Sequence, residues 1–259
     1  MRTDVLERHF AAIGARVEAI EGATRGHPWI DIRRDGRGER YVIGYARGRD
    51  DDLEVVNVDR TTRHLLLLTR RGETKSKFLC GHDERHWFVS AVPEDALGVT
   101  DVGTAMAALQ PELVQEAVSR TRPKERFARR NSAFVRQGEW FFVPAPDVNP
   151  AETLVLRSEP LSRGRGKPHV MERAFRTGGT LVYVSWRYPN GLTQSQLDGL
   201  PESLRRSQAW VPMTRDADVY ATGTVRHPDH ATIRLEGWHR VAMNTEQRAR
   251  AMRNVVFLD

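Results

Sequence analysis

Cysteine is almost missing from this chain: Cys80 stands alone among 259 residues. One thiol excludes an internal disulfide and fits a reducing compartment. Long apolar runs are missing too. None approaches the roughly 18 residues that a membrane-spanning helix needs, and residues 1–7 carry no apolar signal-peptide core. The expectation is a cytoplasmic protein without a membrane partner. Lysine is scarce, confined to Lys75, Lys77, Lys124 and Lys167, so the 40 basic residues are nearly all arginine. Against 34 acidic residues they leave a net charge of +6. There is no serine nucleophile elbow, Rossmann glycine fingerprint, kinase motif set or paired CxxC, and no internal repeat or low-complexity tract.

What is present fits a folded chain, since 39% hydrophobic and 29% charged residues exclude a disordered one. Val5, Leu6, Phe10 and Ile13 predict a short opening helix. Six β-branched or aromatic runs follow, at 29–33, 41–45, 53–58, 64–69, 76–80 and 86–92, with turn clusters between them. The period then changes. Val102, Ala105, Met106 and Leu109 have helical spacing, and Pro111 opens a second helix. Strands return at 139–143, 153–157, 169–175, 180–186, 219–226 and 232–235. A capping box, Thr193 with Gln196, starts one more helix, and Asn244 with Gln247 predicts a last helix running to Met252. The expected fold is α+β and β-rich, with antiparallel sheets or barrel-like halves and a few peripheral helices. The expected division is a β-rich half at 1–120, a basic linker at 121–131 and a second β-rich half at 132–259.

Arginine makes bidentate phosphate contacts and stacks on bases, which suits nucleic acid. The densest cluster supplies Arg122, Lys124, Arg126, Arg129 and Arg130 as candidate phosphate contacts; its plainer reading is a solvated linker. Ser162–His169 adds Arg163, Arg165 and Lys167 among glycines that free the backbone to cradle an anion. Its spacing fails the Walker A pattern at Leu161 and Pro168.

Histidines mark two other places. In His227-Pro228-Asp229-His230 the Pro-Asp pair favours a tight turn whose ends lie within about 7 Å, bringing the two imidazoles together. Asp229 can orient a ring, and His239 can return to the same edge. Such a set suits zinc or another divalent metal, or acid–base catalysis. The second place is Cys80 through Trp87, where a loop at 83–85 pairs His82 with His86 as an alternative metal pair. Cys80 follows Phe78 and Leu79 and reads as core rather than nucleophile. Gln137-Gly138-Glu139-Trp140 reads as a turn entering a strand. The leading expectation is a nucleic-acid-associated protein, RNA ahead of DNA, with phosphoester-directed activity open. The alternatives are a metal- or histidine-dependent enzyme acting on a small polar substrate, such as a hydrolase, and a protein–protein interaction module.

Overall fold

Apolar residues alternate or run continuously over short segments, and the structure, a computed structural model, turns most of those segments into strands. It describes residues 3–23, 28–46, 51–162, 166–249 and 255–256. In chain order the elements are α1 (Thr3–Ala12), β1 (Val17–Glu21), β2 (Trp29–Asp35), β3 (Gly38–Tyr45), β4 (Asp51–Asp59), β5 (His64–Arg71), β6 (Thr74–Asp83) and β7 (His86–Val92). Next come α2 (Val102–Leu109), α3 (Glu112–Val118), β8 (Val135–Gln137), β9 (Trp140–Pro144), β10 (Leu156–Leu161), β11 (His169–Thr177), β12 (Thr180–Ser185) and β13 (Tyr188–Leu192). The chain finishes with α4 (Gln194–Asp198), α5 (Glu202–Arg206), β14 (Val211–Arg215), β15 (Asp218–Arg226), β16 (Ile233–Met243) and β17 (Val255–Val256).

Among the described residues four sheets result, in the orders β1-β3-β2-β17, β4-β5-β6-β7, β10-β11-β15-β16-β9-β8 and β13-β12-β14. All pairings are antiparallel except β1 with β3 and β17 with β2. The protein is therefore β-rich α+β with antiparallel sheets and short helices. None of the sheets closes on itself, so "barrel-like" does not describe either half.

Phe10 on α1 is fully buried with Tyr41, Leu65, Leu67 and Phe78, joining the first sheet to the β4–β7 meander. Each such side chain contributes about 1.5–3 kcal/mol by leaving water. The Tyr41 hydroxyl ties the two sheets further, lying 2.7 Å from the Phe88 carbonyl and 3.0 Å from that of Gly81. α2 covers Leu66 and Leu79 on the other face of the meander. A separate core forms on the six-stranded sheet around Phe142, Met171, Ala174, Ala221 and Val225. α3 packs Val114 and Val118 against Phe134 and Phe141.

Some sequence expectations change. The helix expected after Asn244 is a 3-10 turn at Thr245–Arg248, without a side-chain cap; residues 250–254, including Met252, lie outside the described residues. The strand expected at 153–157 starts at Leu156, because a 3-10 turn occupies Glu152–Leu154. β16 runs past its expected end at Leu235, since Gly237 takes φ +75° within the strand and, on the paired strand, Gly223 opposite Leu235 takes φ +80° at a register shift. Glycine alone tolerates both angles without strain, so the strand bends instead of ending. No helix among the described residues is long and apolar enough to cross a membrane.

Candidate metal centre

Antiparallel pairing of β11 with β15 sets Val170 opposite Arg226. That register carries His169, the residue before Val170, to His227, the residue after Arg226. Their rings stack with centroids 4.2 Å apart; His230 lies 4.7 Å from His227 and 5.6 Å from His169. One ring nitrogen of each falls within 4.8 Å of the others. A tetrahedral ion with bonds of about 2.0–2.1 Å wants its donors about 3.4 Å apart. His227 and His230 sit on a loop rather than a strand, and the rings must draw together from separations of up to 4.8 Å to close on an ion.

Hydrogen bonds decide which nitrogens carry lone pairs. The Gln137 side chain is buried, and its amide nitrogen donates to the carbonyls of Ala231, 2.7 Å, and Val225, 3.3 Å. Its oxygen therefore faces His169 Nδ1, 2.9 Å away, and must accept from an Nδ1–H. His169 Nε2 is left as the lone-pair nitrogen. His227 is the opposite tautomer: Nε2–H donates to the Lys167 carbonyl at 3.2 Å, while Nδ1 accepts from the Asp229 amide at 3.1 Å. His230 Nδ1 lies 3.5 Å from Glu84 Oε2 without a hydrogen bond between them, so that contact does not choose between a proton on Nδ1 and one on Nε2. That Nε2 lies over Gly138, whose φ is +59°; a Cβ there would come within 2.8 Å of it. The β8–β9 turn thus supplies an orienting amide at 137 and a gap at 138. It also supplies a carboxylate at 139, with Glu139 Oε2 3.7 Å from His169 Nε2.

Burial holds His227 and His230 below the usual imidazole range, and the neighbouring imidazoles push the same way. Neutral rings are the ligating form. Asp229 is held below the usual carboxylate range: burial pushes it up, but the Lys167 ammonium, 3.0 Å away, outweighs that.

The second histidine hairpin meets the first. His86, His227 and His230 line one cleft of about 1110 Å³, together with Glu39, Asp83 and Glu139. The contact is specific, as Glu84 Oε2 accepts from the Ala231 amide at 2.8 Å. Pairing in that hairpin is not as expected: Asp83 sits opposite His86 and His82 opposite Trp87, leaving a two-residue turn at Glu84-Arg85. His82 packs edge-on against Trp87, 4.9 Å away. His86 Nδ1 lies 2.6 Å from Glu39 Oε1, while Glu39 Oε2 accepts from the Trp87 amide. Cys80 is fully buried, and burial pushes its thiol well above the ordinary range.

His239 does not join the three histidines. It is buried on β16, its Nδ1 3.1 Å from the Gly237 carbonyl, and lines a smaller pocket with Arg130 and Arg234. Of the basic candidates, Arg122 and Lys124 are exposed and Arg126 is half-buried. Arg129 pairs with Asp83 and Glu84, and Arg130 donates to the Arg234 carbonyl at 2.9 Å. Lys167 reaches the cleft; Arg163 and Arg165 lie outside the described residues. Sequence reading missed His169 and Glu39 as site residues. The signal for His169 was weak but present, as the last residue of the basic loop at 162–169.

Comparison of the chain with protein-family models, with curated proteins and with solved structures finds no match.

Proposed function

We propose that the cleft is the active site of a metal-dependent enzyme acting on a small polar substrate, with His169, His227 and His230 holding a divalent transition-metal ion. The observation that carries this reading is the set of three imidazole nitrogens within 4.8 Å, with Gln137 behind His169 and the Lys167 carbonyl behind His227, whose Nδ1 would exchange the Asp229 amide for the ion. Backing of that kind orients ligands and raises their basicity. An ion held there would polarise a carbonyl or phosphoryl oxygen, or make a hydroxide from water near neutral pH. His86, its Nδ1 fixed by Glu39, lines the same cleft and is placed to exchange protons with substrate. The nucleic-acid reading has less behind it, because Arg129 and Arg130 are engaged within the protein.

The test is metal content. After exposure to zinc or cobalt and removal of excess, the chain should retain one equivalent. His169→Ala and His230→Ala should each abolish retention while the circular dichroism spectrum stays unchanged. A folded wild-type protein that retains no metal refutes the reading.

A further inference from the structure

We infer that the substrate is amphipathic: the polar group this site acts on is the head of a longer molecule, whose apolar body lies along the cleft against Phe127 and Met106. The inference rests on the metal reading above and names the substrate class for it. One cleft of about 1110 Å³ joins His227 and His230 to Phe88, Met106, Leu109, Phe127 and Phe134. Sites that enclose drug-sized ligands measure about 300–1,000 Å³, so this one exceeds what a small polar group alone would fill. It is long as well. β7 lines it continuously from His86 to Ser90, a run of about 13 Å at about 3.3 Å per residue. A head bound at the histidines leaves most of that length to the rest of the molecule.

Phe127 carries the argument. It stands in the charged run Lys124-Glu125-Arg126-Phe127-Ala128-Arg129-Arg130, and it is only partly buried. It belongs to none of the hydrophobic clusters formed by the described residues. Such a ring adds little to a core, yet the chain on both sides of it is fixed. Gln110 Nε2 donates to the Arg126 carbonyl at 3.1 Å, the Ala128 amide donates to the Glu125 carbonyl at 3.0 Å, and Arg129 is paired with Asp83 and Glu84. An aromatic face held in a cleft wall gives an apolar partner a large area to cover. Met106 lines the same space from α2 and is itself only partly buried in the core beneath that helix. Its flexible thioether adapts to chains and rings alike.

The probes are acetohydroxamate and hexanohydroxamate, which share one oxygen-donor head for cobalt(II) and differ only in chain length. Added to the cobalt-loaded protein, each should shift the visible bands of the ion. Hexanohydroxamate should bind more tightly, by up to about fourfold for each further methylene that leaves water. Phe127→Ser should retain cobalt and bind acetohydroxamate as the wild type does, yet lose much of the preference for the longer chain. Met106→Gln should act in the same direction. Equal wild-type affinity for the two hydroxamates would overturn the inference and leave the metal centre standing. A full preference retained in both variants would overturn the placement of the apolar body. A wild-type protein that retains no cobalt would overturn the metal reading and this inference with it.

Discussion

His64 lines the inner part of the cleft and is 8% exposed, its ring edge-on to Phe88 at 5.6 Å. Gly81 presses so close that a Cβ there would lie 2.3 Å from the ring. Burial pushes His64 below the usual imidazole range, against the opposing pull of the Thr62 backbone. The unfolded chain therefore takes its proton first, at about pH 6.5, where the folded chain does not. The stability owed to neutral His64 is complete above that pH and is lost as pH falls toward the folded value. A series of denaturation midpoints should be level from about pH 8 to 7 and decline below about 6.5. His64→Gln should remove part of that decline; an unchanged profile would show that His64 does not contribute. At this scale the sequence was half legible. His227 and His230 are three residues apart, and a Pro-Asp turn joins them on sight. His169 belongs beside them only through the β11–β15 register, and nothing local in the sequence writes a register between strands so far apart.

The β6–β7 hairpin acts as a bracket between the two histidine segments. Its tip residue Glu84 accepts the Ala231 amide, pairs with Arg129 and stands behind His230. Glu84→Ala would leave the half-buried Arg129 guanidinium with Asp83 as its remaining partner and turn the exposed Ala231 amide to water, a loss of about 1–3 kcal/mol for the charged bond. Chemical denaturation should measure it, and cobalt affinity should drop about 10–100-fold as the ring loses its support. Glu84→Gln, which keeps one acceptor for Ala231, should lose less. Equal behaviour of Glu84→Ala and wild type would remove the bracket from the account. Sequence reading placed this hairpin but misjudged its turn. Glu84 occupies the left-handed region at φ +47°, where glycine or asparagine would have announced a two-residue turn. Here tertiary contacts hold a glutamate in that conformation. The N-terminal strands were legible because their apolar runs are long. β1, β8, β13 and β14, short or exposed, were not.

Across the whole molecule, segments far apart in the chain share a sheet. β17 pairs with β2, Val255 opposite Ile30, and Ala249 is buried with Phe10 and Tyr41. Between them Glu246 reaches Ser90, and the Thr245 hydroxyl donates to the Ala108 carbonyl at 2.7 Å. A chain ending at Met243 should lose several kcal/mol, from an opened apolar core and the lost hydrogen bonds. Amide exchange in β2 and β3 should accelerate more than in β11 and β15. Uniform acceleration would mean that the tail stabilises no particular sheet.

That shared sheet also sets a schedule. As the chain leaves the ribosome, Ile30 emerges long before its outer neighbour Val255, which follows it by 255 − 30 = 225 residues. At about 5–20 residues per second, the first sheet would wait on the order of ten seconds or more with an open edge. Chaperones that shield unpaired strands would have their longest access to the nascent protein at β2, far in sequence from the histidines.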